Sequence, residues 1–219
     1  MDAAPVKAGR RSQEERSRDM RRLFAEAMLD ALQECGYQGA SLSAVLARAG
    51  VSRGAWAHHF ETKRDLVVAA AEHMFESGIA DAAAMAREMA GGDDAARLEA
   101  LVEAVWRRFY QGRHRDVLFE LAVASRTDDV LRDRLAPVFL RLQAALAEVW
   151  GAAFPAADAA APPLLAFSMF MLRGMAMQTM LADDPPQLAQ MRRDWAAMLA
   201  GLLRAEAGNR NQDGRGEDP

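Results

Sequence analysis

The sequence predicts an all-α protein. Apolar residues recur every three or four positions through most of the 219 residues, which is the spacing of one buried face of a helix. Ala and Leu are abundant, whereas Gly and Pro number only 15 and 8. No segment alternates apolar and polar residues as a half-buried strand does, so we expect helices throughout.

The first helix is expected after an arm of about eleven residues that lacks an apolar period. Gly36 is a natural left-handed stop for this helix, and apolar Tyr37 follows it. Cys35 falls on the apolar stripe of the helix and is expected to be buried. The stripe consists of Met20, Leu23, Phe24, Ala27, Met28, Ala31 and Cys35.

Two short helices follow in the segment "SLSAVLARAGVSRGAWAHHF". Ser41 is placed to cap the first, whose apolar face is Leu42, Val45, Leu46 and Ala49. Gly50 permits a tight turn, and Ser52 is placed to cap the second short helix. In that helix Trp56 and Phe60 lie four apart and share the inner face. Three helices, the last two short and joined by a Gly-containing turn, are typical of a helix-turn-helix.

The remaining chain predicts longer helices. Thr62 and Asp65 form a start similar to a capping box, and the helix they open is expected to run to Gly91. Further apolar stripes predict helices near 98–109, 117–122, 131–149, 164–182 and 188–202. We expect three regions: an arm and helix-turn-helix domain over 1–62, a larger helical domain over 63–206, and a disordered tail over 207–219.

Composition narrows the class of protein. A single cysteine excludes an internal disulfide framework and suits a reducing cytoplasm, where we expect the protein to reside. The apolar stretch 164–182 nearly has bilayer length, but Arg173 stands at its middle, so it predicts a buried or interface helix and no membrane partner. The net charge is −4, divided into +2 for residues 1–66 and −6 for the rest. A mildly basic head on an acidic body is compatible with a DNA-binding domain.

The side of the third helix opposite Trp56 and Phe60 is the candidate DNA-binding surface. On a helical wheel it carries Arg53, Gly54, Ala55, Ala57, His58 and His59. Small residues allow close approach to a major groove, while Arg and His reach base acceptors or phosphates. The hydroxyls of Ser41, Ser43 and Ser52 near helix starts, and Lys63 at the next one, suit phosphate groups.

Several of these residues have plainer interpretations. His59 can be a cap or a residue at the edge of the core, the serines can serve only as caps, and Lys63 can be a solvated charge. Adjacent histidines in a helix project about 100° apart and chelate one metal poorly. We find no ligand spacing, nucleophile–base cluster or Gly-rich phosphate loop, so we expect no metal, no cofactor and no enzyme.

Gly36-Tyr37 followed by "SLSAVLARAGVSRGAWAHHFETKRDL" resembles the DNA-binding region of the tetracycline-repressor (TetR) family, over about residues 16–75. The resemblance implies about nine helices, with an N-terminal three-helix helix-turn-helix DNA-binding domain and a larger C-terminal helical domain for ligand binding and dimerisation. It implies DNA contacts at the surface residues named above, with a phosphate contact at Lys63 and flanking contacts from Ser41 and Ser43. Ala57 stands where the family often has Tyr, and Ser43 where it often has Arg.

The implied function is that of a ligand-responsive transcriptional regulator, usually a repressor, that leaves a pseudo-palindromic double-stranded operator when a small apolar effector binds. Homodimerisation is expected through about 164–182 and 188–203. Because the two departures remove DNA-backbone contacts, a helical adaptor or ligand-binding protein that has lost DNA binding stays an alternative.

Effector-binding residues are expected among the aromatic, Met and Arg side chains of the second domain. The candidates are Trp106, Phe109, Tyr110, Phe119, Phe139, Met171, Arg173 and Met175. Core packing is the alternative for each apolar one. Arg173 can meet an anionic head group, pair with Glu120 or another acid, or lie in the dimer interface.

Overall fold

The computed structural model describes residues 12–89, 95–154 and 161–213, and in these ranges the chain is helical with no strand. The all-α prediction is confirmed. The nine helices of the described ranges are α1 (Gln13–Gly39), α2 (Leu42–Ala49), α3 (Arg53–Ala57), α4 (Lys63–Met89), α5 (Ala95–Phe109), α6 (Gly112–Ser125), α7 (Asp129–Ala153), α8 (Ala161–Gln178) and α9 (Pro186–Asp213).

Side-chain caps explain where several helices begin. At the start of α4, the Thr62 amide donates to the Asp65 carboxylate at 2.6 Å, and the Asp65 amide donates to Thr62 Oγ1 at 3.2 Å. This reciprocal pair is a capping box with Asp in place of Glu. At the start of α7, Asp128 accepts from the Leu131 amide at 3.0 Å. Each bond satisfies a backbone donor that the first turn leaves without a partner.

Two glycines give the first helices their ends. Gly36 has φ 67° and ψ 177°, so α1 is kinked there, and the Ala40 amide bonds back to the Gly36 carbonyl at 2.9 Å. Gly50 has φ 66° and closes α2 in the left-handed region. A residue with a Cβ is strained in that region, which explains why glycine suits both turns.

Cys35 differs from the expectation. Its side chain is exposed, and its Sγ bonds to the Ala31 carbonyl of its own helix at 3.0 Å. The buried face of α1 stops at Leu32 before the Gly36 kink, because Gln33, Glu34 and Cys35 are all exposed. The prediction that Cys35 is buried is therefore wrong.

The chain divides into two compact units, and the division falls inside α4, after His73. The sequence places the boundary at 62/63. The first unit extends further because Leu66, Val67 and Ala70 of α4 are fully buried. His73 Nε2 also lies 2.7 Å from Glu26 Oε1 of α1. The first turns of α4 thus complete the core of the helix-turn-helix unit.

The second unit is built around α5 and α9, which pack along each other, while α8 packs on both α7 and α9. Its core includes Leu98, Trp106, Leu172, Trp195 and Leu199, all at most 5% exposed. Helix α9 continues to Asp213, so residues 207–213 are helical where the sequence predicts a disordered tail. Residues 1–11 and 214–219 lie outside the described ranges.

No helix within the described ranges is long and apolar enough to cross a membrane.

Candidate nucleic-acid interface and effector cavity

An aromatic cluster fixes the inner side of α3. Trp56 and Phe60 are buried, at 6% and 4% exposure. Each ring lies 5.8 Å from the ring of Phe24 in an edge-on arrangement, and the two rings lie 5.3 Å apart. Such contacts add to the stability gained by burying the rings. The predicted anchoring of α3 by Trp56 and Phe60 is confirmed.

The opposite side of α3 is open. Arg53, Gly54, Ala57 and His58 are exposed, and Ala55 is half-buried. A Cβ added to Gly54 would meet only Ser52 Oγ, at 3.8 Å, so protein packing does not require a glycine there. The residues predicted for a groove contact therefore lie together on one accessible surface.

The histidines lie beyond the helix. Helix α3 ends at Ala57, His58 is its C-cap, and the His59 amide bonds to the Trp56 carbonyl at 2.8 Å. His59 is half-buried, with its ring 6.0 Å from that of Phe24. Burial, helped by the positive charge of Arg21, lowers the pKa of His59. These are the surroundings of a residue at the edge of the core, one of the interpretations that the sequence left open.

Arg21 of α1 is a residue that the sequence did not single out. Its guanidinium donates to the His59 carbonyl at 3.2 Å and lies 4.8 Å from the centre of the Phe60 ring. It thus ties α1 to the turn after α3. The two partners are 38 residues apart in the chain, so no local pattern indicates the contact.

The three candidate serines are exposed, and two of them cap helices as predicted. Ser41 Oγ accepts from the Ala44 amide, and Ser52 Oγ accepts from the Ala55 amide, both at 3.3 Å. Ser43 Oγ lies 3.0 Å from Ser41 Oγ. The hydroxyl pair therefore stands at the exposed start of α2.

Lys63 is engaged within the protein. Its ammonium donates to the Tyr37 carbonyl and lies 4.4 Å from the centre of the Tyr37 ring. Burial lowers the pKa of Lys63. The side chain joins the start of α4 to the end of α1, a role that neither interpretation of the sequence included. An ammonium has three donors, so the Tyr37 bond leaves capacity for a phosphate.

The second unit contains a cavity of about 140 Å³ lined mainly by apolar side chains of α4 to α9. Of the eight candidate effector residues, three line it: Phe109, Tyr110 and Arg173. The cavity also has lining residues that the sequence did not single out, among them Phe75, His114, Trp150, Phe154 and Ser168.

The other five candidates do not line the cavity and instead pack in or beside the core. Met175 is 5% exposed, and Phe119 and Met171 pack against the same core. Phe139 packs edge-on against Phe75 at 5.0 Å. Core packing, the alternative interpretation, describes these side chains.

Trp106, the fifth, belongs to a buried polar cluster. Its Nε1 donates to Asp184 at 3.2 Å, and the Arg192 guanidinium lies 4.3 Å from the centre of its ring. Arg192 is 3% exposed and pairs with Glu103 at 2.6 Å and with Asp184 at 3.2 Å. The cluster compensates a buried charge and joins α5 to α9.

Two cavity-lining side chains carry buried hydrogen-bond donors without a partner: Arg173 Nε and Trp150 Nε1. Burial raises the pKa of the neighbouring Tyr110 hydroxyl, and Arg173 opposes that rise through its positive charge and a hydrogen bond to the hydroxyl. The sequence did not single out Trp150, because it lies at the end of the apolar stripe of α7, where an aromatic ring is expected to pack in the core.

His114 is held by a polar group at the edge of the cavity. Arg108 Nη1 lies 3.1 Å from His114 Nδ1, and the same guanidinium donates to Asp81 at 2.5 Å and to Ser77 Oγ at 3.2 Å. Burial, together with the charges of Arg108 and Arg113, lowers the pKa of His114 to about 4. The imidazole is therefore neutral near pH 7.

Helices α8 and α9 carry several large apolar side chains that are exposed. Those at least 46% exposed on the two helices are Phe167, Phe170, Met177, Met191, Met198 and Leu202. Isolated exposed apolar residues are ordinary, but several on adjacent helices are typical of an interaction surface.

Known proteins are similar to this chain in sequence and in fold. The model of the family described as bacterial regulatory proteins, tetR family, matches residues 22–70, which include α2, α3 and the aromatic anchors. The HTH-type transcriptional regulator CymR of Pseudomonas putida is 30% identical over 141 residues, or 64% of this chain and 68% of CymR. An HTH-type transcriptional regulator of Mycobacterium tuberculosis is 33% identical over 125 residues, or 57% of this chain and 63% of that protein.

Solved structures extend the likeness of the fold to nearly the whole chain. The crystal structure of a TetR-family regulator from Mesorhizobium loti superposes with a TM-score of 0.66 and 16% identity, covering 87% of this chain and 97% of that one. At that identity it supports the fold alone. The similarity to CymR and the tetR match over residues 22–70 identify the family, and this fold agrees with them: the chain belongs to the tetR family of bacterial regulatory proteins.

Proposed function

We propose that this DNA-binding transcriptional regulator is a cytoplasmic, homodimeric repressor that leaves its operator when a small, largely apolar effector enters the cavity of the second unit. The open side of α3 carries the DNA-binding part of the proposal. Arg53 supplies the long donor for a base edge, and Gly54 and Ala57 let the helix approach the groove. No catalytic step belongs to this function.

The exposed apolar surface of α8 and α9 supports homodimerisation. A second copy of the same surface would cover it around a two-fold axis, as in most soluble homodimers. Two copies of α3 then meet a pseudo-palindromic operator, whose half-sites repeat with the helical turn of DNA. We place this dimer interface on about 164–182 and 188–203.

The cavity supports an effector-controlled switch. It is mostly apolar with a few polar groups, which is the usual character of a small-molecule site. An effector that prefers one arrangement of the dimer shifts the population toward it, and DNA is released when that arrangement misplaces the two copies of α3.

Footprinting on the intergenic DNA beside the coding region tests the proposal. The wild-type protein should protect a pseudo-palindrome at moderate salt. Arg53→Ala should weaken binding by about 1–3 kcal/mol and relax base preference within each half-site, because a bidentate base contact carries both effects. Binding isotherms on the protected sequence and on single-base variants of it measure both.

Arg107→Ala is the matched control, since Arg107 is also an exposed arginine but lies on α5. It should bind like the wild type. A folded wild-type dimer that protects no DNA at low salt would favour the adaptor that has lost DNA binding. Equal isotherms for Arg53→Ala and the wild type would remove Arg53 from the interface.

A further inference from the structure

Some of the polar groups that line the cavity have hydrogen-bond partners within the protein, and others do not. Five of the lining residues carry polar side-chain atoms: Tyr110, His114, Trp150, Ser168 and Arg173. None of the described lining residues is Asp or Glu. The polar end of any ligand therefore meets only these five groups and the backbone.

Two of the five have already used their protons. The Tyr110 hydroxyl donates to the Met169 carbonyl at 3.2 Å. Ser168 Oγ donates to the Leu164 carbonyl at 2.7 Å and accepts from Trp195 Nε1 at 3.0 Å. These hydroxyls serve the helices that hold them and offer no donor to the cavity.

The other three residues, Arg173, Trp150 and His114, each retain a hydrogen-bond donor for a ligand. Arg173 Nε and Trp150 Nε1 are buried without a partner, which costs free energy until an acceptor arrives. An arginine can only donate, so the Arg108 contact makes His114 Nδ1 the acceptor. The proton of the neutral imidazole then lies on Nε2, which makes it a third donor.

The charge beside the cavity also favours a ligand whose polar end accepts hydrogen bonds. As an arginine, Arg173 carries a positive charge. It forms no ion pair with a described residue. A positive charge beside an apolar cavity favours an anion and disfavours an amine. A carboxylate matches a guanidinium in shape and accepts several hydrogen bonds at once.

We propose that the cavity binds a small apolar monocarboxylate whose head group accepts hydrogen bonds from Arg173 and Trp150. This inference rests on the proposed function, in which the cavity is the effector site. The size of the cavity limits the apolar part. A cavity of about 150 Å³ holds a benzene ring, so 140 Å³ admits an apolar body of about that size, roughly six or seven carbons.

Calorimetric titration of the DNA-free protein with octanoate, octanol and octylamine at pH 7.5 tests the chemistry, because the three share one chain and differ in head group. Octanoate should bind at least tenfold more tightly than octanol, and octylamine should bind most weakly. Arg173→Met should lose at least tenfold in octanoate affinity and keep its octanol affinity, while Arg173→Lys should retain part of the preference.

Arg107→Met is the matched control and should reproduce the wild-type order. The proposal is overturned if the wild-type protein binds no octanoate, if it binds octanol or octylamine as tightly as octanoate, or if Arg173→Met still prefers octanoate. If Arg173→Met fails to fold, the wild-type order and Arg173→Lys decide. Since no DNA is present, this result stands apart from the footprinting, and either proposal can fail alone.

Discussion

At the scale of single residues, His114 shows how packing sets chemistry. Its ring lies between the aromatic side of Phe109, at 5.3 Å, and the guanidinium of Arg108. Burial, which is the largest effect, and the charges of Arg108 and Arg113 disfavour the imidazolium, whereas Asp81 favours it too weakly to compensate. His114, which lines the cavity, is thus a half-buried neutral base.

His114 should make the protein less stable in mild acid. The pKa of His114 is about 4 in the folded protein and 6.5 when exposed, so between these values the unfolded chain binds more protons. The contribution of His114 to the free energy of unfolding is fully present above pH 6.5. It falls by roughly 3 kcal/mol as the pH is lowered toward 4. Urea unfolding of the wild type and His114→Asn from pH 7 to pH 4 measures it.

The variant should lose less stability than the wild type over that interval, because Asn does not titrate while its amide oxygen can still accept from Arg108. Carboxylates titrate in both proteins and cancel in the difference. Parallel stability curves would show that His114 is protonated as readily in the folded protein as in the unfolded chain.

At the scale of elements, the two sides of α3 differ. One side anchors the helix in the protein, and the other is accessible. The first side is held by Trp56 and Phe60, and on the other side Arg53, Gly54 and Ala57 are exposed. Glycine inside a helix is a stability cost, and here neither packing nor backbone conformation requires it. Its use at Gly54 is best explained by the close approach of another molecule.

Gly54→Leu should therefore leave the protein as stable as the wild type or slightly more stable, and should weaken operator binding at least tenfold. Gly151→Leu on α7 is the matched control, since an added Cβ there meets nothing within 4 Å and one at Gly54 meets only Ser52 Oγ, at an ordinary contact distance. Thermal unfolding and DNA-binding isotherms of the two variants check the prediction. Unchanged DNA affinity for Gly54→Leu would place the groove contact elsewhere.

Elements also show how far the sequence can predict. Caps at Ser41, Ser52 and Thr62–Asp65 and the spacing of Trp56 and Phe60 are local, so pattern alone located them. Contacts between distant segments were not predictable, because the Lys63–Tyr37 pair spans 26 residues and the Arg192–Glu103 pair spans 89. The end of α3 at Ala57 was also not predicted, because the helical wheel treated His58 and His59 as part of the helix.

The cavity was anticipated only in part for the same reason. Aromatic and Met residues at helical spacing have the same pattern whether they face a core or a cavity. Phe109 and Tyr110 line the cavity while Trp106, on the same helix, is held by Asp184 and Arg192. Only Arg173 was distinguished by pattern, because a charge within an apolar stretch needs an explanation.

At the scale of the whole molecule, assembly decides whether the two candidate sites can work together. We propose that α8 and α9 pair with their copies, and the apolar side chains they expose supply the energy. Met177 and Met198, at 59% and 57% exposure, lie on that surface and outside the core.

Met177→Glu combined with Met198→Glu should convert the dimer to monomers, because pairing would bury four carboxylates. Light scattering at micromolar concentration should then give the mass of one chain instead of two, and operator affinity should fall. Leu140→Glu on α7, whose side chain is 65% exposed, is the matched control and should stay dimeric. A dimer that survives the double substitution would move the interface to another surface.

Cys35 offers a direct view of such assemblies. It is the chain's single cysteine, and its thiol is exposed near the end of α1 in the first unit. A thiol-reactive spin label would attach at one position per copy without any prior mutagenesis. The distance between two labels would then report how far apart the helix-turn-helix units stand, with and without octanoate.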